Sequence, residues 1–182
     1  MAPALGHADA TVREWAVDAL SRIGAPADVE RIAGLLDDPS RGVRQQAMDA
    51  FIRIDSDASA AAFRERLASS APEQVVLAAQ GLAQLGTPDA GPVILRRAAD
   101  ATLPDSTRGA LMQPLAALGD PTVVPHLVDL ALDTESDAQL RRLAAEAAVA
   151  IDTPDPSLAL RRLATANDDY IRALGERGLE LQ

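Results

Sequence analysis

The chain has 182 residues, 48% of them hydrophobic, and a formal charge of −10. It can therefore bury a real core, while its negative field opposes nucleic acid and anionic membrane. No run of 18 apolar residues is present, so no membrane-spanning helix is expected, and the lack of cysteine excludes disulfides, thiol nucleophiles and thiolate metal sites. All 17 basic residues are arginine, and Asp outnumbers Glu by 19 to 8. Such a lysine-free, acidic composition fits either a GC-rich coding bias or a salt-adapted surface. The start, from Met1 to Asp9, lacks a basic region followed by an apolar core. It reads as no signal peptide, so the expected location is cytoplasmic.

In chain order, the pattern predicts a leading helix near 9–23. Five helix pairs follow: 26–36 with 41–54, 57–69 with 72–85, 88–100 with 105–118, 121–133 with 137–151, and 154–166 with 169–181. The second helix of each pair ends alike, at Ile23-Gly24, Ile54-Asp55, Leu85-Gly86, Leu118-Gly119 and Ile151-Asp152. These endings lie 31, 31, 33 and 33 residues apart. A period in this range signals a solenoid, in which each unit buries its apolar face against its neighbours. The expected organisation is one continuous array over 1–182, with units near 1–24 (partial), 25–55, 56–86, 87–119, 120–152 and 153–182.

Counting back from each terminal Gly or Asp exposes the core. Eight back stand Ala16, Ala47, Ala78, Leu111 and Ala144; four back stand Leu20, Phe51, Leu82, Leu115 and Ala148. Twelve, five and one back complete the same helical face. The first helices carry Ile32, Phe63, Ile94, Leu127 and Leu160 at one matched position. Small residues let neighbouring helices approach, and larger ones fill the gap between layers.

Gly24, Gly86 and Gly119 suit a left-handed C-terminal cap, and Asp55 and Asp152 fill the same slot less well. Asp9, Ser40, Asp137 and Asp168 are good N-caps for second helices. Pro92 and Pro125 should make their helices bend or start late, and Pro114 should kink the second helix that holds it.

The motif Val12-Arg13-x-x-Ala16-x-x-Ala19-Leu20-x-x-Ile23-Gly24-x-Pro26 recurs from Val43 to Asp55 and from Leu140 to Pro154. It resembles the HEAT-like repeat family in its short bacterial and archaeal form. Gln74-Val75 and Asp57 depart from it. The resemblance implies an all-α, right-handed α-solenoid (α-α superhelix) of about five helical hairpins plus a leading helix. In that family the recurring arginine, here Arg13, Arg44, Arg108, Arg141 and Arg172, bonds an acidic residue of the same or the next unit. Asp9, Asp137 and Asp168 stand four residues before Arg13, Arg141 and Arg172, the spacing of a helical ion pair.

Chemistry-bearing motifs are scarce. His7 and His126 are far apart and neither precedes Glu, unlike the His-Glu pairs of the HEAT-like deoxyhypusine hydroxylases. His126 is expected as a partly buried helix residue. No phosphate-binding glycine loop or nucleophile elbow occurs, and HEAT-like DNA glycosylases would need a cationic, aromatic groove. No catalytic residue, metal or cofactor is therefore expected. Bilin lyases and related phycobilisome proteins also resemble these repeats, so a bilin-lyase-like or cofactor-handling protein acting with a partner subunit is the alternative.

The leading expectation is a non-catalytic scaffold that binds a protein or peptide, without nucleic acid or membrane. The resemblance places the second helices on the concave face. Positions ten, six and three before each helix end are free of core duty. The candidate stripe is Glu14, Asp18, Gln45, Asp49, Ile52, Val76, Gln80, Gln113, Arg142 and Glu146, with Ser21, Ala83, Gly109, Ala116 and Val149 completing the series. Met48 and Met112 lie one position aside, where methionine suits an adaptable surface. Leu5 aligns with Leu36, as if the chain began in the last turn of a first helix. Trp15 lies on a face that a preceding helix would cover. Either the chain is a section of a longer array, or this open N-terminal face pairs with something, including end-to-end self-association.

Overall fold

The computed structural model describes residues 2–181; Met1 and Gln182, the ends of the expected array, lie outside them. Every regular element among the described residues is helical. They are α1 (Ala2–Leu5), α2 (Ala10–Ile23), α3 (Ala27–Ala33), α4 (Arg41–Ile54), α5 (Asp57–Leu67), α6 (Pro72–Leu85), α7 (Ala90–Ala98), α8 (Asp105–Ala110), α9 (Met112–Leu118), α10 (Val124–Leu132), α11 (Ala138–Ala150), α12 (Ser157–Leu163) and α13 (Asp169–Glu180). Short 3-10 turns at Gly34–Asp37 and Pro121–Val123 extend α3 and precede α10. The chain divides into two compact units, residues 1–87 and 88–182.

In unit 1, α2 packs on α4 and α4 on α6, while α3 packs on α5. The core lies between these rows. Ala47, Ala50 and Phe51 of α4 are fully buried, as are Phe63 of α5 and Ala78 and Leu82 of α6. The rings of Phe51 and Phe63 meet edge to face with centroids 5.3 Å apart, a geometry worth about 0.5–1.5 kcal/mol beyond area burial. Gly81 sits against the Phe63 ring, where a Cβ would clash. Gly24 (φ 70°) and Gly86 (φ 62°) adopt the left-handed cap, and Asp55 adopts it at φ 40°.

In unit 2, α8 and α9 pack on α11 and α11 on α13, with α10 beside α11 and α12. Leu111, Leu115, Leu127, Ala144 and Leu163 form its fully buried centre. Prolines shape this unit. Pro114 has no N–H to give to the carbonyl four residues back, and the helix breaks into α8 and α9 at Leu111. Pro125 falls in the first turn of α10, which starts at Val124 after a 3-10 turn, so that helix starts late. Gly119 adopts the left-handed cap at φ 65°.

Several sequence expectations are corrected. Asp152 is not left-handed, because α11 stops at Ala150 and Ile151 turns extended at φ −83°, ψ 121°. That exit avoids the strain of a non-glycine left-handed residue. Ser40 precedes α4 but its side chain caps nothing; its own N–H is bound by Asp38. Met48 and Met112 are buried core residues, not surface ones, and Ile23 is exposed although it holds a core slot. His126 is exposed rather than partly buried.

Candidate functional site

Four of the five recurring arginines, Arg13, Arg44, Arg108 and Arg172, act as a capping device, whereas the buried Nε of Arg141 has no hydrogen-bond partner. Arg13 donates to the backbone oxygens of His7 and Ala8, Arg44 to those of Asp38 and Pro39, and Arg172 to that of Ala166. Arg108 donates through Nε to the Ala98 carbonyl. Each cation thus satisfies carbonyls left open at the end of the preceding helix or loop, where the helix dipole favours positive charge. The ion pairs expected with Asp9, Asp137 and Asp168 do not form. Those carboxylates accept from backbone N–H groups at the start of their own helices, and a side chain holding the N-cap is turned away from the residue four along. Arg13 instead pairs bidentately with Asp38 of the next hairpin, at 2.7 Å through both Nε and NH2. Both side chains are almost wholly buried, and the Arg13 guanidinium holds the Asp38 carboxyl below its ordinary range.

The candidate stripe divides between the units. In unit 1 the second helices bring Asp18 and Ser21 of α2 beside Arg53 of α4, whose NH1 lies 3.2 Å from Asp18 Oδ1 and 2.6 Å from Ser21 Oγ. Arg22 adds a 3.8 Å pair with Asp18. Asp18 therefore carries less free charge than its sequence position suggests, and Ser21 is buried. Gln45 donates to Asp49 at 3.0 Å within α4. Glu14 lies over Gly42, whose missing side chain makes room for its carboxylate. Ile52, Val76 and Gln80 are half-buried.

In unit 2, Gln113, Arg142 and Glu146 are exposed and Gly109 is buried under Leu143. Arg142 reaches from α11 to Asp168 at the start of α13, at 3.0 Å through NH2 and 3.2 Å through Nε. Its guanidinium carbon sits 5.7 Å from the Tyr170 ring centre, a cation–π contact. Tyr170 in turn donates its hydroxyl to Glu146 at 2.6 Å. That bond to a carboxylate raises the Tyr170 pKa, and the Arg142 hydrogen bond lowers that of Asp168. Val149 and Tyr170 are each 40% exposed. Tyr170 and Asp168 were absent from the sequence stripe. Tyr170 belongs to the final helix α13, two residues before the recurring Arg172, a position that the count of ten, six and three before the helix end does not select.

Two clefts lie away from the stripe. A cleft of about 520 Å³ in unit 1 is lined by Leu36, Pro39, Arg44, Pro72 and Leu77, among others. One of about 580 Å³ in unit 2 is lined by Pro92, Leu95, Arg108, His126 and Asp133, among others. Neither includes a stripe residue. Among the described residues, no cluster of three or more His, Cys, Asp or Glu is arranged to hold a metal. No helix there is long and apolar enough to cross a membrane.

Comparison with known proteins places this architecture. The family model for HEAT repeats matches residues 1–83. No curated protein matches the sequence. Among solved structures, the complex of CpcE and CpcF of phycocyanin lyase from Nostoc sp. PCC7120 contains a similar chain. It is 19% identical with a TM-score of 0.54, over 98% of this chain and 74% of that one. An engineered protein is 21% identical with a TM-score of 0.45, over 98% of this chain and 93% of that one. At 19% identity the likeness to the chain of the lyase complex is one of fold. HEAT repeats thus span residues 1–83, and the chain is similar in fold to HEAT-like repeat proteins, with the same buried positions recurring through unit 2.

Proposed function

We propose that this chain is a non-catalytic scaffold that binds a segment of a partner protein along the exposed, concave side of its second helices. The observation that carries the reading is the α11–α13 surface, where Arg142 and Tyr170 stand exposed in contact, with exposed Val149 seven residues further along α11. Arginine and tyrosine are the residue types that concentrate binding energy at interfaces. Here the Asp168 and Glu146 bonds hold both side chains in place before a partner arrives, which lowers the ordering cost of binding. In unit 1, Glu14, Asp18 and Asp49 favour an arginine-bearing partner segment, with Gln45, Gln80, Ile52 and Val76 as its polar and apolar neighbours. The net charge opposes nucleic acid and anionic membrane as alternatives.

The test is capture of a partner from native extract by the wild-type chain, by Arg142→Glu, and by Asp18→Arg combined with Asp49→Arg. Each variant should lose the partner while far-UV circular dichroism stays unchanged. A partner retained equally by all three would remove the stripe from the interface. Turnover by the purified chain, abolished by one side-chain change, would overturn the non-catalytic reading.

The second reading is a cofactor-handling protein that works with a partner subunit. The fold-level likeness to a chain of the CpcE–CpcF complex supports it. A visible chromophore co-purifying with the chain would favour it over the scaffold, and a colourless chain that still binds its partner would count against it.

A further inference from the structure

The first helices of unit 2 do not all close on one another. α10 packs directly on α12, whereas α7 packs on α9 and on the 3-10 turn Pro121–Val123 that precedes α10. Beyond that turn a cleft of about 580 Å³ stays open between α7 and α10. It lies between two helices inside unit 2, not at an end of the chain. Its apolar part is Pro92, Leu95 and Leu130, with both leucines half-buried.

Hydrogen bonding decides what the cleft fits. Asp129 and Asp133 line it, and both carboxylates are engaged. Asp129 accepts from Arg162 of α12 at 2.7 Å. Asp133 accepts from the Glu135 N–H at 3.1 Å and from the Ser136 hydroxyl at 2.7 Å. The donors are the reverse. Arg96 is exposed, and no hydrogen bond or ion pair engages it among the described residues. Arg108 is almost wholly buried; its Nε goes to the Ala98 carbonyl and its NH1 to Asp105, which leaves NH2 without a protein acceptor. Arg96, Asp129 and Arg162 occupy one slot, ten residues after Gly86, Gly119 and Asp152. Asp129 serves Arg162, so this row of three charges leaves one cation over.

We propose that this cleft docks a segment of a partner protein that carries a carboxylate beside a large apolar side chain. The apolar group rests on Leu95 and Leu130, and the carboxylate takes Arg96. A carboxylate matches the guanidinium fork, and the bond gains strength where an apolar surface excludes water. The chain's charge of −10 repels a strongly acidic ligand, so the segment is otherwise neutral or basic. An open trough suits a length of chain better than a small molecule, whose sites bury about 70–90% of its surface. None of the cleft residues belongs to the second-helix stripe, so the two surfaces can be filled independently.

Selection of random phage-displayed peptides against the full wild-type chain tests the proposal. Enriched peptides should carry Asp or Glu within one helical turn of Leu, Ile, Met or Phe. Their affinity should fall at least about tenfold, or ~1.4 kcal/mol, on Arg96→Glu, with far-UV circular dichroism unchanged. Arg96→Gln, which adds no charge, should weaken them in the same direction. Arg142→Glu, on the stripe, should leave them bound. Selection against the Arg96→Glu chain should enrich Lys or Arg where the first selection enriched Asp or Glu. Failure to enrich any peptide would overturn the proposal. So would enriched peptides without a carboxylate, binding that survives Arg96→Glu, or binding lost on Arg142→Glu.

Discussion

Units 1 and 2 are built on the same register, yet their helices differ in continuity. In unit 1 the three second helices α2, α4 and α6 are each 14 residues long and unbroken. In unit 2 the corresponding elements are a helix split at Leu111, a 13-residue α11 and a 12-residue α13. Eight of the twelve prolines fall in unit 2. The core positions nonetheless stay buried in both, from Leu82 in one to Leu115 and Leu140 in the other. A layer of hairpins therefore tolerates a broken backbone ladder if the side chains still meet at the right depth. The family match to residues 1–83 covers the regular unit.

The contrast sharpens under mutation. The slot four residues before the helix end holds Phe51 in unit 1 and Ala148 in unit 2. Phe51→Ala should lose about 3–5 kcal/mol in denaturant unfolding, because the ring is fully buried against Phe63 and leaves a cavity. Ala148→Gly removes one methyl and lowers helix propensity, and should lose about 1 kcal/mol. Equal losses would mean that the two layers do not share one packing logic.

The inter-hairpin ion pair is the next largest effect. Asp38→Asn should lower stability at neutral pH, since Arg13 then loses its carboxylate partner. Because Arg13 lowers the Asp38 pKa in the folded state, the unfolded chain takes up that proton first on acidification. The stability is present above the ordinary value of 3.8 and is lost as pH falls through the folded pKa. The difference between wild type and Asp38→Asn should therefore narrow below about pH 3.8. A gap that stays constant into acid would show that the pair contributes no charge-dependent stability.

The smallest effect separates the two aspartate endings. Asp55 is left-handed and Asp152 is not. Asp55→Gly should gain about 1 kcal/mol by relieving that conformation. Asp152→Gly should gain nothing, because the chain leaves α11 extended at Ile151. A gain at both positions in thermal unfolding would place Asp152 in the left-handed cap after all.

Much of the fold was legible in the sequence. The repeat fixes which residues share a helical face, and Ala47, Phe51, Phe63, Ile94 and Leu127 are buried as that periodicity requires. The break at Pro114 and the late start at Pro125 follow from the missing N–H of proline. The candidate site was less legible. The stripe rule found Arg142 and Glu146 but not Tyr170, which lies between them in space and 24 residues on in sequence from Glu146.

What the amino-acid order determined by itself was local: helix spans, their punctuation and the apolar face of each, all consequences of backbone sterics and a 3.6-residue period. What only the tertiary structure decided was which groups meet across helices. Asp9 and Asp38 look alike in sequence, yet one caps its own helix and the other holds Arg13. Ile23 and Ile54 occupy one slot, yet one is exposed and the other buried. A hydrogen bond or a burial depends on a neighbour's position to within an ångström or so, and that position is set by the stacking of layers, which no single repeat contains.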